Sequence, residues 1–255
     1  GDWSSDVCSS DLANIGAVNN YSVTSISYNP LSGNSGNIVF ATTNNDFKQI
    51  SFPAGFNFRF YGNLFSGCYI STNGYITFSS GSSVLIAQTL PDTTSPNNLI
   101  ALCFSDLALG LGSVDTFTVG VFPNRKFVIR YNNMQFYKST GTTGEVSGQI
   151  VLYENSDVID ILIQKVDNGT VIARAKTIGI ENATGTSGIT PANRNNINFI
   201  INSPEAWRFK PLQGTVFYNW SPSGFLSSSQ IPNPMVNQIT STTVYTVTAY
   251  HENGC

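Results

Sequence analysis

The dipeptide Asn73-Gly74 sits between Tyr69-Ile70-Ser71-Thr72 and Tyr75-Ile76-Thr77-Phe78, and it constrains the fold more than any other feature of this chain. A two-residue type I′ turn needs positive φ at both central positions, which asparagine and glycine tolerate and most residues resist. The flanking residues are largely β-branched or aromatic, so the segment predicts a tight antiparallel hairpin. The same period of two recurs along the chain. Ile159, Ile161 and Ile163 form one face of a run whose other face is Val158, Asp160, Leu162 and Gln164, the pattern of a strand with one buried side. Similar runs are read at 21–28, 38–42, 56–61, 68–72, 75–79, 99–105, 116–122, 126–132, 148–154, 176–181 and 206–210. Asn155-Ser156-Asp157 joins one pair, and Pro91, Pro96, Pro123 and Pro204 mark loops or strand starts. No stretch carries a convincing helical period. The pattern predicts an all-β protein built as a two-sheet antiparallel β-sandwich.

Composition narrows the class further. Ser, Asn and Thr together supply 82 of the 255 residues, while Asp, Glu, Lys and Arg make up only 11%, against roughly 25% in an average soluble domain. That balance argues against a helical cytosolic enzyme and for an extracellular chain. Asp2 to Leu12 agrees at all eleven positions with the translation of a common sequencing adapter, so residues 1–12 are set aside from fold reasoning. Asp2, Asp6 and Asp11 go with them, which leaves twelve acids against twelve Lys and Arg. The remaining chain is formally neutral. Nucleic-acid binding needs a basic stripe, whereas Lys48, Arg59, Arg125, Arg130 and Arg174 are scattered. No apolar run approaches the roughly 20 residues that span a bilayer.

Phe52-Pro53-Ala54-Gly55-Phe56-Asn57-Phe58-Arg59-Phe60-Tyr61-Gly62-Asn63, followed by the run from Tyr69 to Phe78, resembles the pattern of nidogen-like β-sandwich ectodomains in large surface proteins of Bacteroidota. Further stretches agree in order: Leu90-Pro91 and Pro96 to Ala101, leading to Ser105-Asp106-Leu107; Gln149 to Glu154; Ile178 to Gly185; and Glu205 to Phe209. The resemblance implies a nidogen-like domain over residues 13–211. At Phe104 the chain departs from it, keeping only Asp106 where the family often carries two acids after an aromatic. After Pro211 the sequence resembles the immunoglobulin-like or PKD-like modules that follow such ectodomains. Residues 212–255 are therefore read as a truncated module, with Trp220 as its inter-sheet aromatic and Tyr245, Val247 and Ala249 on one strand face. The same resemblance implies export by the type IX route, and a chain that is a fragment cut at both ends.

Residues suited to chemistry are sparse. His251 is the single histidine and lies near the C-terminal end, so the first domain has neither a Ser-His-Asp triad nor a His-rich metal site. Catalytic and cofactor-binding residues are therefore assigned to none. Glu154, Asp157 and Asp160 are close enough in sequence for a glycosidase pair, but Glu154 and Asp157 flank a turn that should hold them in solvent. Calcium could be held by Asn44, Asn45 and Asp46, or by Asp106 with Asp115; ordinary Asx turns are the alternative. Cys68 and Cys103 would pair as a disulfide in an oxidising compartment, or else remain two small buried thiols. Asp92-Thr93-Thr94 resembles the bacterial O-glycosylation signal. Tyr137 is the candidate ligand contact, because alternation turns Phe136 inward and the 132–146 connection combines aromatics with Gly and Thr. Two readings of function follow. One is a non-catalytic surface or adhesion module that binds an extracellular glycan or protein, or spaces other modules of the same chain; the other is an ancillary domain of a secreted hydrolase.

Overall fold

The computed structural model describes residues 20–34, 38, 40–56, 58–171, 173–212, 216–231, 233–237 and 241–251. The adapter-like segment, Asn57 and Cys255 lie outside them. The chain divides between Pro211 and Leu212 into two units. In the first, the strands are β1 (Tyr21–Ile26), β2 (Phe47–Ser51), β3 (Phe58–Phe60), β4 (Asn63–Phe65), β5 (Gly67–Ser71), β6 (Tyr75–Thr77), β7 (Leu99–Phe104) and β8 (Leu107–Ala108). They continue as β9 (Ser113–Val119), β10 (Lys126–Lys138), β11 (Gly141–Tyr153), β12 (Ile159–Asp167), β13 (Thr177–Glu181), β14 (Gly188–Ile189) and β15 (Glu205–Pro211). Among the described residues every regular element is a strand, and no helix is long and apolar enough to cross a membrane.

Two antiparallel sheets carry the fold. One has the order β1-β15-β12-β11-β10-β8 with β9 also on β10, and the other has the order β14-β13-β7-β6-β5-β2. They pack closely: a Cβ added at Gly148 of β11 would lie 3.0 Å from Cδ1 of Leu102 on β7. The Tyr131 hydroxyl crosses the layer and donates to the carbonyls of Ser71 (3.1 Å) and Tyr75 (3.0 Å). A buried phenol keeps such a partner because an unpaired hydroxyl in an apolar interior is costly.

The Asn73 hairpin forms between β5 and β6, but with a different turn from the one read in sequence. Ile70 pairs with Ile76, leaving Thr72, Asn73 and Gly74 as the loop, and only Gly74 has positive φ (78°). Asn73 is recruited for its side chain instead. Its Oδ1 accepts from the Leu107 amide and its Nδ2 donates to Ser83 O and Asn45 Oδ1. Gly74 is required twice over, because a Cβ there would meet the Cys103 carbonyl at 2.2 Å.

The outer faces are not bare, and this corrects the one-sided reading of 158–164. Asp160 and Leu162 are as buried as the isoleucines that alternate with them. Leu162 joins Phe117, Val128, Val151 and Ala206 in a cluster covered by Ile26, Tyr28 and Leu31. Asp160 is neutralised in place, accepting from Arg208 at 2.7 and 2.8 Å and from the Tyr153 hydroxyl at 2.7 Å. On the other sheet Leu90 covers Tyr75, Leu99, Ala101 and Phe104. With both faces covered, β7 reads as a continuous apolar run.

Three further readings are corrected. Residues 40–42 form no strand; the edge of that sheet is β2 instead. The stretch 132–146 is no loop, since β10 and β11 continue through it as one long hairpin with register shifts near Met134. Bulges of this kind absorb an extra residue while the ladder resumes. Finally, the structure does not bring Cys68 and Cys103 together. They lie on β5 and β7 with β6 between them, and strands about 4.8 Å apart put such positions beyond the roughly 7 Å that a disulfide spans. Both thiols are free and fully buried, and burial pushes each up to about 12. In a variant with Cys8 and Cys255 replaced by Ser, a thiol reagent should label neither cysteine in the native protein and both after denaturation without reductant.

The second unit contains a two-stranded antiparallel sheet of β16 (Val216–Ser221) and β17 (Thr246–His251). The expected alternation holds, with Tyr245, Val247 and Ala249 half-buried between exposed Thr246 and Thr248. Trp220 does not act as an inter-sheet core residue: it is half-buried, and its indole donates to the Ile231 carbonyl at 3.0 Å.

Candidate functional site

β7 ends at Phe104 and the chain turns through Ser105 and Asp106 into β8. There it borders a cleft of about 230 Å³ lined by Leu85, Ile86, Ala87, Ser105, Asp106 and Arg174 together with Ala175. The polar groups are fixed from behind. Arg174 Nη1 lies 3.0 Å from Asp106 Oδ2 and donates to the Asp106 carbonyl at 2.9 Å, while Ser105 Oγ donates to Ala175 O at 3.1 Å. Burial raises the Asp106 carboxyl, and the Arg174 guanidinium opposes that shift. Among the described residues Asp106 Oδ1 is buried and has no hydrogen-bond partner. Ile86 supplies an apolar rim and is 73% exposed.

Tyr137 stands beside this cleft. Its amide donates to the Asp106 carbonyl at 3.0 Å, and the residue is 38% exposed while Phe136 is fully buried, as alternation required. Asp106 and Tyr137, singled out separately in the sequence, are therefore neighbours. Arg174 and the 85–87 segment were missed, because nothing in a Leu-Ile-Ala run or an isolated arginine signals a shared cleft.

The other acids do not assemble into a catalytic pair. Glu154 is buried rather than solvent-facing: its carboxylate accepts from Arg125 Nε at 2.8 Å and Nη2 at 2.5 Å. Asp157 accepts from the Arg59 amide at 2.8 Å, and Asp160 belongs to Arg208. Asp115 is taken by Arg130 at 2.8 Å, so it does not join Asp106 around a cation. Asp46 is occupied by its own loop, accepting from the Thr42 and Phe47 amides at 2.8 Å each, with Asn45 at φ 52°. Another cleft of about 220 Å³ lies on the outer face beside Lys126, Tyr153, Asp160 and Arg208, where Asp160, Arg208 and Tyr153 already satisfy one another. Thr93 and Thr94 are exposed, with the Thr94 amide donating to Asp92 Oδ1. The His251 side chain lies outside what the structure describes.

The first unit is thus an all-β sandwich with a small polar cleft at the turn between β7 and β8. A family model described as NIDO related matches residues 20–222, and the chain belongs to that family. It is a family of extracellular-type modules. Comparison with curated proteins found no match, and comparison with solved structures found none either.

Proposed function

We propose that this protein is a non-catalytic extracellular surface module that binds a neutral glycan in the cleft formed by Asp106, Arg174 and residues 85–87, with Tyr137 at its margin. The cleft-lining pair of Asp106 and Arg174, 3.0 Å apart with side chains 17% and 25% exposed, carries the reading. A sugar hydroxyl donates to the accessible edge of the Asp106 carboxylate, a second accepts from Arg174, and Ile86 offers the apolar contact that a pyranose C–H face needs. Secretion or cell-surface display, a Bacteroidota source, the type IX route and an immunoglobulin-like or PKD-like identity for residues 212–255 are supported by the resemblance of the quoted motifs. Turnover has no support in the acid placements, since Glu154, Asp115 and Asp160 each face an arginine.

The test is a screen of neutral oligosaccharides followed by titration of the best binder. Asp106→Asn should abolish binding, because the carboxamide presents a competing donor and loses Arg174, and Tyr137→Ala should weaken it. Binding that is indifferent to both variants would move the site elsewhere on the domain. Polysaccharide hydrolysis lost on Glu154→Gln would overturn the non-catalytic reading.

A further inference from the structure

Residues 92–97 and the end of β13 meet around a buried acid that is not part of the lining of the Asp106 cleft. Glu181 is 0% exposed, and its Oε2 accepts a short hydrogen bond from the Asp92 amide. Gly185 permits the approach. At its φ of +64° the backbone comes so near that an added Cβ would lie 2.0 Å from Asp92 O. Among the described residues no lysine or arginine forms an ion pair with Glu181. Burial accordingly pushes its carboxyl up to about 7.

Backbone oxygens face the same point. One polar atom of the Asn97 carboxamide lies 2.9 Å from Thr94 O, 3.0 Å from Asp92 O, 3.3 Å from Pro96 O and 3.3 Å from Glu181 Oε1. All four neighbours are acceptors, so that atom is the amide nitrogen, and its two protons serve four oxygens. Thr94 O also accepts from Gln88 Nε2 at 2.9 Å, and a carboxylate and three carbonyls converging on one point are the hard-oxygen set that calcium takes.

We propose that this nest is a calcium site, with Glu181 Oε1 and the carbonyls of Asp92, Thr94 and Pro96 as ligands, entered when the Asn97 amide swings outward. Calcium accepts mixed carboxylate and carbonyl sets with water completing six to eight ligands at roughly 2.3–2.6 Å. The oxygens already surround one atom at 2.9–3.3 Å, so the nest closes by roughly 0.3–1.0 Å to reach calcium distances. Magnesium demands near-ideal octahedral geometry at roughly 2.0–2.1 Å and gives up its water reluctantly, which a backbone loop of this width does not match. Asp92 and Asn97 are only half-buried, which gives the ion a way in. A single carboxylate places the affinity in the weak range of extracellular modules, about 10⁻⁴–10⁻³ M. The site differs from both calcium sets read in the sequence.

The experiment uses the full chain, stripped with EDTA and titrated with calcium chloride at constant ionic strength, with thermal unfolding and calorimetry as readouts. Millimolar calcium should raise Tm by several degrees, and neither magnesium nor sodium should reproduce the shift. Glu181→Gln, a nearly isosteric change, should fold and lose the shift. Asn97→Ala removes the competing amide, so it should be less stable in EDTA and recover with calcium at least as well as the wild type. The proposal is overturned if the wild type does not respond, if the response survives in Glu181→Gln, if sodium or magnesium gives the same response, or if calcium fails to rescue Asn97→Ala.

Discussion

Phe58→Ala is expected to lower the free energy of unfolding by about 3–5 kcal/mol. Phe58 opens the three-residue strand β3 and is fully buried, with Arg59 turned partly outward between it and the equally buried Phe60. Its ring stacks on Phe78 at 5.8 Å and on Phe60 at 6.5 Å, and Phe78 in turn packs on Phe65 at 4.8 Å. Alanine would remove the centre of this row. The surroundings cannot collapse freely, because β3 is pinned by the hydrogen bond from the Arg59 amide to Asp157. The lost transfer energy and the cavity therefore add. Leu64, paired with Arg59 and 52% exposed, is the control: Leu64→Ala should stay within about 0.5 kcal/mol. Urea unfolding of both variants at neutral pH measures the difference. Equal stabilities would place β3 outside the core.

The aromatic alternation was legible because burying every second residue is a local property of a strand. Phe56, Phe58 and Phe60 are buried, and Ile159, Ile161 and Ile163 face the core. What the sequence concealed depends on partners distant along the chain. β2 escaped notice because Phe47-Lys48-Gln49-Ile50-Ser51 is a mostly exposed edge with little to alternate. The second buried face at Asp160 was invisible, because an acid reads as solvent-facing until Arg208 and Tyr153 are placed beside it. Glu154 was misread for the same reason, its partner Arg125 lying 29 residues away. The candidate site was half legible. Tyr137 and Asp106 stood out by residue type and motif, while the cleft exists only because residues 85–87 and Arg174 are brought to the same turn.

Lys176 gives the second large effect, and nothing in the sequence announced it. The residue is 0% exposed, yet its ammonium donates at 2.9 Å to each of Asn168 Oδ1, Asn198 Oδ1 and the Arg174 carbonyl. Two ring faces complete the cage, Phe199 at 5.1 Å and Phe136 at 5.3 Å. All its partners are neutral oxygens or π faces, with no carboxylate, so desolvation wins and pulls the lysine down to about 8. At pH 7 the group is still charged and each of its three protons is used. Lys176→Met keeps the stem but withdraws the donor from that oxygen set, and should cost on the order of 2–5 kcal/mol. The pH dependence separates this from simple cavity effects. Between about 8 and the unfolded value of 10.5 the unfolded chain holds a proton that the native state has released, so this group's contribution to stability rises with pH. The buried thiols and phenols act in the opposite sense. Their folded values are raised, so their stabilisation is lost as pH climbs past 9.0 for Cys68 and Cys103 and past 10.0 for Tyr21 and Tyr131. The lysine term is therefore best read between pH 8 and 9, as the gap in unfolding free energy between wild type and Lys176→Met. That gap should widen with pH; a gap that stays constant would mean that Lys176 titrates at an ordinary value and that the cage fully solvates its charge.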